Sequence, residues 1–187
     1  APPVRVPTKG NNVKSRVIAG VALAAASALV VGAGISYAGG NDHTVLRGDI
    51  MVGVSAPYTG ATNAIRGIPG GGAPWVIGDA EYKLRNDGRV DIEFEGLVIG
   101  PTGPPAIAGK NPVLVQKVLV SCLSKDAAGA PTTVNASSET FDVDAAGNAK
   151  ARVHVDLPSP CIAPILFVTS PASATNPTGS WFASSGA

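Results

Sequence analysis

An all-β fold, an antiparallel β-sandwich of immunoglobulin-like or similar kind behind an N-terminal hydrophobic signal or anchor helix, is what three observations in this sequence predict. Apolar and charged residues alternate with a period of two in AEYKLRNDGRVDIEFEGLVI, from Ala80 to Ile99, the pattern of strands with one face buried and one wet. The 23 Gly and 16 Pro divide the chain into short elements separated by turns. No segment after Asp42 sustains a helical period.

The 187 residues leave room for one domain of common size and a leader. With 45% apolar and 14% charged residues, the composition is that of a chain with a core rather than a disordered one. The formal charge of +1 hides an asymmetry. Arg5, Lys9, Lys14 and Arg16 precede the first acidic residue, Asp42, and from Gly39 onward ten basic residues face 13 acidic ones. Without a basic stripe, that balance argues against nucleic acid as a partner.

In the leader, Lys14 and Arg16 precede an uncharged apolar run, Val17 to Ile35, and Ser36 and Ala38 follow at the −3 and −1 positions of a cleavage site. These are the three parts of a secretory signal, with cleavage expected after Ala38. A retained anchor or filament-core helix is the competing reading, because 19 residues at about 1.5 Å each approach the roughly 30 Å of a bilayer core. The Ala- and Gly-rich composition weakens it. The stretch before the run begins at Ala1 rather than Met and reads as a fragment or an over-extended start. The expected organisation is therefore 1–38 signal region, 39–64 a poorly defined segment, and 65–187 a disulfide-stapled β-sandwich.

Within the domain, DIMVGVSAP offers a first strand, and RGIPGGGAPWVIG a Gly-rich loop entering a strand at Trp75 to Ile77. Tyr82 and Leu84 on one strand, and Val90, Ile92 and Phe94 on the next, face inward, with Asn86, Asp87 and Gly88 forming the hairpin turn. KDAAGA (Lys125 to Ala130) and VDAAGNA (Val143 to Ala149) repeat one turn chemistry: an Asp whose carboxylate caps the turn and a Gly three residues on for the left-handed position. Both are expected at hairpin tips, joining strands at Val113 to Leu123, Thr132 to Val143 and Ala149 to Leu157. The last of these should turn Val153, Val155 and Leu157 inward. ILFVT, Ile165 to Thr169, is apolar on both faces and predicts a central strand. SWFAS supplies a final one.

Cys122 lies on a predicted strand and Cys161 among Pro158, Pro160 and Pro164. Because proline cannot donate a backbone hydrogen bond, Leu157 to Pro164 is expected to cross the sheet rather than pair inside it. Two cysteines behind an export signal are most simply one structural disulfide, Cys122–Cys161. A redox or metal role lacks both the C-x-x-C spacing and a neighbouring His.

The candidate chemistry is sparse. RGD at Arg47 to Asp49 is a short match of the kind chance produces. Asp142, Asp144 and Gly147 begin like a calcium loop, but Ala146 and Val153 stand where ligands are needed. Asp91, Glu93 and Glu95 read as a solvated strand face paired with Lys83 and Arg85, rather than a glycosidase pair. His154, between Arg152 and Asp156, has no nucleophile elbow to serve, and His43 stands in a terminal stretch. Trp75 and Trp181 could form an exposed platform for sugar rings, with core packing as the plainer reading.

The blocks PWVIG, VLVSCLS, LPSPCIAPILFVTSP and WFA, within Ile65 to Ala187, resemble small secreted bacterial proteins of actinobacterial type that carry no assigned activity. The resemblance implies export and the Cys122–Cys161 pairing, and supplies no catalytic residue. The expected function is a secreted or cell-surface structural or interaction module without catalysis, cofactor or metal. Its partner would be a cell-wall glycan or another surface protein. The alternatives are a carbohydrate- or wall-binding module using Trp75 and Trp181, and a filament or membrane-anchored subunit at the outer cell surface.

Overall fold

A computed structural model describes residues 43–186. The predicted signal or anchor, Val17 to Ile35, and its cleavage site lie outside the described residues.

Eleven strands form: β1 (Thr44–Gly48), β2 (Met51–Gly53), β3 (Trp75–Val76), β4 (Ala80–Arg85), β5 (Arg89–Phe94), β6 (Val98–Ile99), β7 (Val115–Lys125), β8 (Pro131–Asp142), β9 (Ala149–His154), β10 (Ile162–Thr169) and β11 (Trp181–Ser185). A four-stranded sheet has the order β1-β4-β5-β9 and a five-stranded sheet the order β2-β11-β10-β7-β8, while β3 and β6 pair as a short ribbon. Every pairing is antiparallel. The described residues are all-β, as the alternation predicts, in an arrangement consistent with a β-sandwich.

The inward sets of both sheets belong to one core: Leu84, Val90, Ile92 and Phe94 from the four-stranded sheet, and Val118, Val120, Leu166 and Val168 from the five-stranded one. Phe94 of β5 meets Phe141 of β8 edge-on at 6.4 Å, a favoured aromatic geometry that ties the sheets together. The β4–β5 hairpin turns at Gly88, whose φ of 86° is one that residues with a Cβ resist. ILFVT is central as expected, with β10 lying between β11 and β7 and Leu166 to Thr169 buried.

Several expectations are corrected. The segment taken as poorly defined, 39–64, contributes β1 and β2, and DIMVGVSAP holds only the second of them; the two lie in different sheets. β9 ends at His154, short of the expected Leu157, although Val153 and Val155 are buried and Leu157 packs against the core, facing inward as expected. KDAAGA does close a hairpin, β7–β8, with Ala128 and Ala130 N–H both donating to the Asp126 carboxylate at 2.9 Å. VDAAGNA does not. The same turn, with Asn148 N–H on the Asp144 carboxylate at 2.8 Å, carries the chain from β8 in one sheet to β9 in the other. Its surroundings explain the difference. Leu97 N–H donates to the Gly147 carbonyl, Asn111 N–H to that of Ala145, and Gly96 N–H to the Asn148 side chain. The turn is thereby a fixed corner.

Proline in the cysteine segment also acts differently from expectation. β10 begins at Ile162 and includes Pro164; the missing N–H is absorbed by a register break against β7 between Ile162 and Ile165, as bulges allow.

Candidate functional site

Two surfaces hold the residues with chemical potential. The first is the outer face of the four-stranded sheet. Strand alternation puts Glu81, Lys83, Asp91, Glu93, Lys150 and Arg152 there, and register sets them in two rows, Lys83–Asp91–Arg152 and Glu81–Glu93–Lys150. Asp91 receives Arg85 Nη1 and Arg152 Nε, each at 2.6 Å. These two guanidinium hydrogen bonds, Arg152's first, hold its carboxyl below the usual range. The Lys150 ammonium sits 2.5 Å from Glu93. Its pKa is raised by the Glu93 hydrogen bond and charge, with Glu81 adding to the effect. The like-charged pair Glu81 and Glu93 is thus relieved by one lysine. A shallow depression lies over these rows, and Asp91, Glu93, Lys150 and Arg152 in its lining are already engaged in ion pairs.

The expected pairing of Asp91 with Arg85 is present. Lys83 stands directly across from Asp91, and Glu95 is exposed past the end of β5. His154 is exposed, its Nε2 lying 3.4 Å from Asp156 and its backbone N–H reaching Glu139. In the RGD stretch, Arg47 and Gly48 are part of β1.

The second surface is the outer face of the five-stranded sheet. Register places Lys117, Thr169 and Trp181 side by side on it, with Leu119 and Phe167 in the next row and Ser121 and Asn135 beyond. This face is covered, unlike the first. Between β2 and β3 the chain makes a two-residue turn, Arg66-Gly67, closed by reciprocal bonds between Ile65 and Ile68. Both turn residues have positive φ, 49° and 79°, the signature of a type I′ turn. Arg66 Nη1 donates to the Ser121 carbonyl at 2.9 Å and Asn135 Nδ2 to the Arg66 carbonyl at 3.0 Å, so this hairpin is pinned to β7 and β8. Pro69 and Gly71 then exchange backbone bonds with Trp181. Lys117, in the same face as Thr169 and Trp181, is only 5% exposed. Its ammonium donates to Ser137 Oγ at 3.1 Å, and burial pushes its pKa down.

Trp75 and Trp181 are not an exposed platform. They are 4% and 3% accessible, Trp75 stacked on Phe182 with ring centres 4.2 Å apart and Trp181 tilted against Phe167 at 5.9 Å. Cys122 and Cys161 form the expected disulfide, Cα–Cα 4.9 Å. It ties β7 to the residue immediately before β10, beside the register break.

Sequence reasoning missed the strap and the buried lysine. The signal for the strap was Arg-Gly between two isoleucines, weaker than Asn-Gly or Asp-Gly; nothing local distinguishes Lys117 from a surface lysine. Among the described residues no helix is long and apolar enough to cross a membrane. No family model matches the chain, and neither a curated protein nor a solved structure matches it.

Proposed function

We propose that this chain is an exported, non-catalytic structural or interaction module at the cell surface or in the medium, an immunoglobulin-like sandwich whose partner is another surface protein or a wall glycan. One observation carries the reading: several of the side chains able to do chemistry are engaged within the fold itself. Asp91 is held by two arginines, Glu93 by Lys150, and Asp144 by its own turn. Both cysteines are in the bridge and both tryptophans are in the core. The disulfide supports export, because such bonds persist in oxidising compartments. The resemblance to small secreted actinobacterial-type proteins points the same way. The burial of Trp75 and Trp181 takes away the basis for a sugar platform.

The test is the intact mass of protein recovered from the producing culture, alkylated before and after reduction, together with a screen against ester, peptide and glycoside substrates. The proposal expects a mature chain starting at Gly39, cysteines that alkylate only after reduction, and no turnover. A chain retaining Val17 to Ile35, two free thiols, or an activity abolished by Asp91→Asn or His154→Ala would overturn it.

A further inference from the structure

Among the described residues four strands end the two sheets: β1 and β9, β2 and β8. Sheet edges are templates for pairing with another chain unless they are short, charged, bulged or interrupted by proline. Three of the four are protected in these ways. β1 has five residues, carries Arg47 and breaks register between Thr44 and Leu46. β9 alternates Lys150, Arg152 and His154. β2 has three residues. β8 differs. It is twelve residues long, and from Pro131 to Ser138 it carries no charge and pairs with β7 without interruption up to Ser137.

The direction of its backbone groups follows from two hydrogen bonds. Val118 N–H points to β8, where it meets Ser138 Oγ, and Leu166 N–H points to β11, where it meets Ser185 Oγ. Alternation along β7 and β10 then makes Val120–Ala136 and Cys122–Val134 the pairs that exchange ladder bonds in the observed register. The N–H and C=O groups of Thr133 and Asn135 therefore point away from β7.

We propose that the Pro131–Ser138 edge of β8 pairs with the same edge of a second copy of this chain, antiparallel about a two-fold axis at Asn135. The run is self-complementary about that residue. Val134 falls opposite Ala136 of the second copy, Thr133 opposite Ser137, and Thr132 opposite Ser138, so apolar meets apolar and hydroxyl meets hydroxyl, the cross-strand pairs that favour a sheet. Glu139 falls opposite Pro131, and no like charges face each other. Val134 and Ala136 are only half-buried in one copy and share the face of Cys122 and Val120; a second copy continues that apolar row. Beyond Ser138 the pairing stops, because Glu139 is engaged by the backbone N–H of His154 on β9. Such an interface is isologous and closes at two copies. The inference rests on the strand edges alone and stands or falls separately from export.

The test is sedimentation equilibrium of the full chain over a concentration series, with amide exchange at its two ends, for the native chain and Thr133→Pro. Thr133 is exposed and its N–H is outward, so proline there deletes a bond to the second copy and spares the β7 ladder. The native chain should dimerise with rising concentration while the amides of Thr133 and Asn135 gain protection. Thr133→Pro should weaken dimerisation by about tenfold or more while keeping the unfolding midpoint of the native chain at dilutions where that chain is monomeric. If that variant does not fold, Thr133→Lys, a charge added at the same exposed edge, is expected to weaken it likewise. A native chain that stays monomeric, its edge being left for some other partner, would overturn the proposal. So would a dimer protected elsewhere, or a folded variant that associates like the native chain.

Discussion

The two sheets answer the same problem, a pleated surface with two faces, in opposite ways. The four-stranded sheet buries one face and leaves the other to paired charges: Arg85 and Arg152 on Asp91, Lys150 on Glu93. The five-stranded sheet is buried on both faces through its centre, and the strap pinned by Arg66 covers its outer side. The difference places stability in the five-stranded sheet. Leu119, Phe167 and Trp181 add apolar burial on its second face, and Cys122–Cys161 ties β7 to the residue just before β10. The charged rows contribute little by comparison, since exposed ion pairs are worth at most about 1 kcal/mol.

Substitutions separate the two sheets by size of effect. Phe167→Ala, on the covered face and fully buried, is expected to cost about 3–5 kcal/mol by denaturant unfolding; a loss near that of a surface residue would mean the strap does not seal that face. Removing the disulfide with Cys122→Ala and Cys161→Ala opens a closure spanning 39 residues. On the chain-entropy account its removal should cost roughly 4 kcal/mol, less any native strain relieved, read as a lowered denaturant midpoint.

The two Asp-x-x-Gly turns differ in what surrounds them. Gly129 and Gly147 both have positive φ, 85° and 83°. A Cβ on Gly129 meets open space, whereas one on Gly147 would lie 2.3 Å from the Leu97 carbonyl oxygen. Gly129→Ala should cost about 1–2 kcal/mol from backbone strain alone, and Gly147→Ala distinctly more. Equal losses of Tm in the two variants would contradict a fixed inter-sheet corner.

Lys117 gives a pH signature. Burial lowers its pKa from the ordinary 10.5, so between its folded-state value and 10.5 the unfolded chain binds more protons and stability rises with pH. Denaturant midpoints across that alkaline window should climb in the native chain and climb less in Lys117→Met. The smallest effect belongs to the open face. Asp91→Asn should cost about 1 kcal/mol or less at neutral pH. Because the Asp91 pKa is depressed in the fold, the native chain should lose that contribution as pH falls from the ordinary carboxylate value through the folded one.

How legible each region was follows from the same contrast. The four-stranded sheet reads from sequence because one wet face enforces strict alternation: Tyr82, Leu84, Val90, Ile92 and Phe94 in, Lys83, Asp91 and Glu93 out. Of its ion pairs only Arg85 on Asp91 was anticipated; Arg152 and Lys150 reach Asp91 and Glu93 because β9 joins this sheet, where a hairpin with β8 was expected. The five-stranded sheet has no such rhythm. Gln116 through Cys122 are all buried, and the cover over them comes from a Gly-rich loop whose docking depends on contacts 55 and 69 residues apart in sequence. The Cys122–Cys161 bridge was legible from cysteine parity and context. Core packing was the plainer reading of Trp75 and Trp181, and their burial bears it out; which segment seals them was not legible, since the cover comes from a distant loop. The turn at Asp144 had the right chemistry and the wrong consequence. Local sequence sets a turn's shape, and Leu97, Gly96 and Asn111 decide where its strands go.

Native-state amide exchange tests the central contrast most directly, because it reports the opening free energy of each strand separately. The amides of Leu119, Phe167 and Val168, in the doubly covered sheet, are expected to exchange only through global unfolding. Those of Tyr82 and Ile92, behind the open charged face, should exchange through smaller openings. Exchange at β4 and β5 as slow as, or slower than, that at β7 and β10 would contradict it.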